Sequence, residues 1–398
     1  MKQASSILST YASDVSGVCS ALYELGGMSI MDDASGCNST YNTHDEPRWY
    51  SMPSMVYVSA LTEMQAVLGQ DKYLEDEICS AAKELHPRFI AIAGTPIPMM
   101  MGTDFTGIAR VIEKRSGIPT MGFATNGMRS YIVGSSMALV ELAKRFCPQS
   151  ELEKNYAAKK KSKKTRVNLL GVTPLDFSVV GNVEKLKSLL EENNCEVIST
   201  WAMGSTFEDL MNSYKADVNV VASSCGLELA KYFEGIYGTP YITGIPSGNA
   251  ATKAFFDSLQ KAFTTKKTQK PIWLQDKSVE LEKSVSKKQY IVGEAVWASS
   301  MALTLRKDFG LSNLEVLCPT ETTEEFLGIK GRITFYEDDY FDLLKKADLV
   351  IADPIYKYAV PSTTKFISLP HEGYSGRTYR KDIPVVMGDE FQQFYKIC

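Results

Sequence analysis

The sequence predicts an α/β protein made of three Rossmann-like units with mainly parallel sheets. Short β-branched runs recur along the chain and each is followed by a helical pattern, which is the rhythm of parallel strands covered by helices. That rhythm stops and restarts twice, at the basic run Lys159 to Arg166 and at the lysine-rich stretch Asp276 to Lys288. At 398 residues the chain also exceeds one ordinary core, since single cores stop growing at roughly 250–300 residues. The expected units are residues 1–160, 161–275 and 276–398.

In the first unit, Leu74 to Leu85 reads as a helix and Arg88 to Gly94 as a buried strand. Helix Asp104 to Ser116, a short strand at Pro119 to Phe123 and helix Tyr131 to Phe146 follow. The second unit alternates strands at Val167–Val172, Cys195–Trp201, Val218–Ala222 and Pro240–Gly244 with helices at Asn182–Glu192, Thr206–Ser213 and Leu227–Tyr237. The third has strands near Gln289–Glu294, Leu314–Cys318, Leu349–Pro354 and Lys365–Leu369. Ligands of such sheets gather beyond the carboxyl ends of the strands. The loops after Gly94, Val172, Trp201, Ala222, Gly293 and Leu369 are therefore the candidate site loops.

Composition narrows the function. Hydrophobic residues at 44% and charged residues at 23% are values of a globular domain. A net charge of −4 gives no basic excess for nucleic acid, and the basic run reads as a solvated linker. No stretch reaches the ~18–20 apolar residues of a membrane span, and the N-terminal residues lack a long apolar core, so a cytoplasmic location is expected. None of the strand–helix turns has a Gly-x-Gly-x-x-Gly or Gly-x-x-x-x-Gly-Lys-Ser/Thr pattern, so nucleotide is expected to bind a partner and not this chain.

Eight cysteines are scattered without a Cys-x-x-Cys pair, and only His44, His86 and His371 carry imidazoles. Neither a zinc ribbon nor a multi-histidine centre is indicated. Cys19, after Gly17-Val18, and Cys37, after Gly36, are the best candidates for iron–sulfur ligands. Clusters require thiolates, and an adjacent glycine lets backbone approach a bulky inorganic core. Cys79 sits in a helical stretch and reads as core, and Cys147, Cys195 and Cys318 read as structural. The segment His44-Asp45-Glu46-Pro47-Arg48-Trp49-Tyr50 packs an imidazole, two carboxylates and a guanidinium into seven residues. Substrate gating or proton donation and a salt-bridged surface loop both fit it.

Several segments taken together resemble the nitrogenase component 1-type family, which includes nitrogenase molybdenum-iron protein subunits, cofactor-assembly scaffolds and dark-operative protochlorophyllide reductase subunits. Asp33-Ala34-Ser35-Gly36-Cys37 resembles the cluster loop. Ala66 to Leu74, Gly94-Thr95-Pro96 with Gly102-Thr103-Asp104, Ile198 to Thr206, Tyr237 to Tyr241, and Gly373-Tyr374-Ser375-Gly376 resemble further landmarks in the same order. The resemblance implies an electron-accepting reductase component, served by a separate ATP-dependent iron protein and acting on a small molecule. The alternative is a scaffold on which a metal cluster or cofactor is assembled.

One departure matters. Where the family pattern has a third cysteine, this chain has Pro96. Two thiolates per chain imply a homodimer with one 4Fe–4S cluster on its axis, held by Cys19 and Cys37 of both chains. Cys225 and His371 are the loose counterparts of the pair that holds the larger metal cofactor. A second metal centre there is less expected than an open pocket for an organic substrate, lined by the loops around Thr95, Trp201, Ser223 to Cys225 and His371. His371 and His44 are the candidate catalytic groups.

Overall fold

The computed structural model describes residues 10–36, 38–69, 71–148, 164–275 and 287–397. Thirteen strands among them form three sheets, and every pairing is parallel. The first sheet runs β2-β1-β3-β4, from β1 (Met28–Asp32), β2 (Met55–Val58), β3 (Ile90–Gly94) and β4 (Thr120–Phe123). In the second, the order β6-β5-β7-β8 places β5 (Thr165–Val172), β6 (Cys195–Ala202), β7 (Val218–Val221) and β8 (Tyr241–Thr243). The third is β11-β10-β9-β12-β13, from β9 (Gln289–Val292), β10 (Leu314–Cys318), β11 (Gly331–Ile333), β12 (Leu349–Ala352) and β13 (Lys365–Ser368).

Continuous apolar runs with both faces covered are what parallel sheets require. β3 (IAIAG) and β12 (LVIA) meet that requirement, with every residue buried. β1 is equally buried but contains Ser29 and Asp32. Those polar positions hide it in the sequence, where its residues read as the approach to a cluster loop. They are tolerated because Asp32 Oδ1 accepts from the Ser59 hydroxyl at 2.7 Å. The basic run ends earlier than expected. Thr165 and Arg166 already belong to β5, and the Arg166 guanidinium and backbone amide both donate to Asp217.

The apolar cores cross between sheets. One joins helix α1 (Asp14–Leu22) and the first sheet to Leu170 and Trp201 of the second sheet and Leu229 of the helix Leu227–Tyr237. Another joins Leu169 and Val220 of the second sheet to Ile291 and Val316 of the third and Met301 of the helix Ala295–Asp308. Helix α1 is buried along its whole length and crosses α2 (Tyr131–Phe146) at two glycines. A Cβ on Gly17 would lie 2.2 Å from the Tyr131 carbonyl oxygen, and one on Gly134 would lie 1.8 Å from that of Asp14. Only glycine permits this approach. The crossing is what carries Tyr131, the first residue of α2, into the middle of the molecule.

Candidate functional site

Loops from the second and third sheets meet Tyr131 at one buried junction. After β5 the chain turns through Thr173 to Phe177 and delivers Asp176, which is fully buried at its side chain. Asp176 Oδ1 accepts from the Tyr131 hydroxyl at 2.5 Å. Oδ2 accepts from the hydroxyls of Ser223 at 2.5 Å, after β7, and Thr173 at 3.2 Å. His371, after β13, brings its Nε2 to 3.4 Å from Oδ1. Three hydroxyl donors thus bond one buried carboxylate, with the His371 imidazole close beside it.

His371 is held from both sides. Asp353, after β12, accepts from the His371 amide at 2.8 Å and from the Ser375 hydroxyl at 2.8 Å. The imidazole Nδ1 accepts from the Gly373 amide at 3.2 Å. In the neutral ring that leaves the proton on Nε2, the nitrogen that faces Asp176. Tyr374 stacks on the ring at 4.4 Å and Trp297 meets it edge-on at 6.5 Å.

Glu294 follows β9 and caps helix α3 (Ala295–Asp308). Its Oε2 accepts from the amides of Val296 and Trp297, each at 3.0 Å, and Oε1 accepts from the Ser224 amide at 3.0 Å and from the Ser224 hydroxyl. Burial, and then the charge of Asp176, push the Glu294 carboxyl up to about 7 against the pull of those bonds. Two carboxylates, an imidazole and two phenols in one dry junction are equipped for proton transfer.

The junction encloses a cavity of about 30 Å³, lined by Asp176, Glu294, Trp297, His371 and Tyr374 among others. Thr95 and Trp201 take no part. Thr95 bonds Asp32 and Asp33 in the first sheet, and Trp201 is a core residue bonded to Ser199 and Ser213.

Cys225 and His371 do come together, each against Asp176, with the Cys225 sulfur 3.9 Å from Oδ2. They do not fit a metal cofactor. Burial and Asp176 push the Cys225 thiol well above its usual range, and Cys225 does not line the cavity of about 30 Å³ that His371 borders. Among the described residues no group of three or more His, Cys, Asp or Glu is placed to hold a metal ion.

Cys19 lies inside α1 with no exposed surface, packed in the core shared by the first two sheets. Burial, and then the charge of Glu46, push its thiol up to about 12. Cys19 has no exposed surface in this chain, so its ligation of a cluster on a dimer axis would require α1 to open. Gly17 beside it serves the helix crossing. Cys37 lies outside the described residues. Gly36 beside it is exposed, and a Cβ there would meet nothing within 4 Å. Cys79, Cys147, Cys195 and Cys318 are buried, and none of them is in a disulfide.

His44 stands apart from the junction, exposed, with Nδ1 2.8 Å from the Tyr50 hydroxyl. Between these two exposed ends of the segment, Asp45, Glu46 and Arg48 are buried and structural. Arg48 pairs with Glu46 and Glu24 and donates to the Ser20 carbonyl. Asp45 accepts from Tyr11 at 2.6 Å, and its carbonyl receives Arg380, whose guanidinium also clamps Glu372. Sequence reasoning singled out the loops after Val172 and Gly293, yet it missed Asp176 and Glu294 within them. Lone carboxylates beside Pro-Leu or after a glycine have no spacing signature, and only the fold converges them.

Comparison with known proteins gives a consistent picture. The model of the family described as nitrogenase component 1 type oxidoreductase matches residues 13–327. The nitrogenase iron-molybdenum cofactor biosynthesis protein NifE of Methanosarcina barkeri is 27% identical over 188 residues, which are 46% of this chain and 39% of that protein. One subunit of the light-independent protochlorophyllide reductase of Chlorokybus atmophyticus is 23% identical over 61% of this chain and 51% of its own length. The chain therefore spans about half or less of these curated relatives. The solved structure of nitrogenase Cp1 at pH 6.5 superposes with a TM-score of 0.67 at 15% identity, covering 100% of this chain and 93% of that one, a likeness of fold.

Proposed function

The chain belongs to the nitrogenase component 1 type oxidoreductase family, and we propose that it is the catalytic component of a nitrogenase-like reductase that protonates a small molecule at the Asp176–His371 junction while reducing equivalents arrive from a separate ATP-dependent iron protein. The observation that carries this reading is the convergence of Asp176, His371, Tyr131 and Glu294 where loops of two sheets meet α2. Asp176 orients the imidazole and offsets charge on it, and His371 Nε2 and the Tyr131 hydroxyl are the donors. Reduction of an organic group consumes protons with electrons, so a buried donor set matches the chemistry. Cys19 is enclosed in the core of this chain, so this reading gives it no part in electron delivery. Cys37 and Gly36 keep the proposed role of a cluster loop.

A homodimer is the proposed assembly. The short helix Glu63–Leu68 opens with a capping box from Thr62 and Gln65, yet buries none of its residues. Met64, Val67 and Leu68 are left on the surface of the first unit, as is Met100, an arrangement suited to covering by a second copy. No helix of the described residues is long and apolar enough to cross a membrane, in keeping with the proposed cytoplasmic location.

The scaffold alternative takes support from the NifE relative, but a junction of about 30 Å³ offers a nascent metal cofactor no berth. The deciding experiment supplies anaerobic protein with an iron protein, MgATP and a panel of small organic substrates. Partner-dependent reduction that Asp176→Asn lowers at least a hundredfold, in a protein that keeps its fold, supports the reading. Transfer of a metal cluster to an acceptor protein without any reduction overturns it.

A further inference from the structure

A cavity of about 240 Å³ lies between the first sheet and the helix Asp71–Leu85, apart from the Asp176–His371 junction. Side chains two apart on a strand share a face, and in β1 one face carries Met28, Ile30 and Asp32. Met28 and Ile30 join Ile78 of the helix in an apolar core, and Asp32 continues the same face along the cavity wall. Asp32 is 4% exposed. Its Oδ1 accepts from the Ser59 hydroxyl, whereas Oδ2 has no hydrogen-bond partner among the described residues and is not sealed from solvent. The next residue, Asp33, has both oxygens taken, by Thr95 at 2.9 Å and Asn38 at 3.0 Å. A half-bonded carboxylate in an apolar wall is costly unless something in the cavity offsets its charge.

The described residues of the wall supply no such offset. Asp71 and Glu77 line the cavity with Asp32, and no lysine, arginine or histidine does. Burial pushes the Asp32 carboxyl above its usual range against the Ser59 bond, and the charges of Asp71 and Asp33 push it further. An anion would meet three carboxylates. A bare metal ion would need several ligands around one point, and among the described residues no group of three or more His, Cys, Asp or Glu is so placed. The rest of the wall suits a carbon skeleton. Ile30, Leu74 and Ile78 are apolar, and Tyr57 and Tyr73, 40% and 51% exposed, add rings that attract ammonium groups. Since a cavity of about 150 Å³ admits benzene, this one takes roughly ten heavy atoms. We propose that the cavity is a binding site for an organic amine cation, its ammonium beside Asp32 and its apolar body against Ile30, Leu74 and Ile78. The site does not depend on the reductase reading.

Phenethylamine, protonated at neutral pH, tests it against 2-phenylethanol, in which a hydroxyl replaces the ammonium, and against phenylacetate, which carries a carboxylate. Met101 lines the cavity, so protein labelled with ¹³C-methyl methionine reports binding there, and Met101→Leu identifies its signal among the 16 methionines. Phenethylamine is expected to shift the Met101 signal saturably, 2-phenylethanol to bind about tenfold more weakly or worse, and phenylacetate to leave the signal unmoved. Asp32→Asn keeps the shape and the acceptor for Ser59 while removing the charge, and should bring the amine down to the affinity of the alcohol. Asp71 and Glu77 are exposed, so Asp71→Asn with Glu77→Gln spares the fold, and it should cut the amine's advantage about threefold. A Met101 signal that the amine does not move means the cavity holds water alone and overturns the proposal. Equal affinity for amine and alcohol in the wild type, or an undiminished preference for the amine in the variants, overturns it as well.

Discussion

Asp176 takes hydrogen bonds from Tyr131, Thr173 and Ser223 and faces His371. Asp176→Asn keeps the shape but gives up the charge and one acceptor oxygen, leaving buried hydroxyls short of a partner. The expected loss is about 2–4 kcal/mol, read as a lower urea midpoint. Glu294 predicts a pH dependence. Its folded pKa is raised from the usual 4.5 to about 7, so the folded state holds this proton more tightly than the unfolded one. The associated stability is complete below pH 4.5 and is lost as pH rises to about 7, with no further change from this group above that. Urea melts across pH 4.5–8 should show that slope in the wild type and its absence in Glu294→Gln. For the thiols, Cys19→Ala should cost about 1–2 kcal/mol and leave the iron content of anaerobic protein unchanged, whereas Cys37→Ala should abolish it. Iron loss in Cys19→Ala would restore the original ligand pair. Sequence reasoning placed His371 at the site because a rare imidazole stood near a recognisable glycine-rich turn. A glycine two residues away made Cys19 a candidate ligand, yet the same glycine serves the helix crossing, a packing role that sequence alone does not distinguish from cluster access.

The α1–α2 crossing ties packing to the site. Gly134→Ala would drive a methyl group into the Asp14 carbonyl, and the helices would have to separate. The expected cost is about 3 kcal/mol in a urea melt. Because α2 begins at Tyr131, the same change should pull the phenol away from Asp176. Long periodic helices and uniformly apolar strands such as β3 were legible, since their patterns need no tertiary information. β1 was not, because Ser29 and Asp32 break the apolar run, and Asp32 is satisfied by Ser59, distant in sequence. The three-residue strand β11 (Gly331–Ile333) was equally hidden, being too short to show a period.

In the assembled protein, the uncovered surface at Met64, Val67 and Leu68 bears on the proposed homodimer. Light scattering of wild type should give a dimer, and Val67→Lys with Leu68→Glu should give a folded monomer. A wild-type monomer would remove the dimer. The alternation that predicted three units needed only the order of elements along the chain. The junction between them was out of reach, since it depends on how loops of different sheets face one another.

The strand orders carry a consequence for biosynthesis. In each sheet the first strand made, β1, β5 or β9, lies in the interior, and every later strand joins an outer edge of what already exists. None has to be threaded between two earlier neighbours. A nascent chain emerging from the ribosome can therefore extend each sheet outward in the order of translation. The first sheet is complete at Phe123, before β5 of the second has been synthesised. Such a chain meets its slow, sequence-distant pairings one at a time. The same polypeptide diluted from denaturant meets all of them at once, so co-translational folding should outpace and outyield refolding.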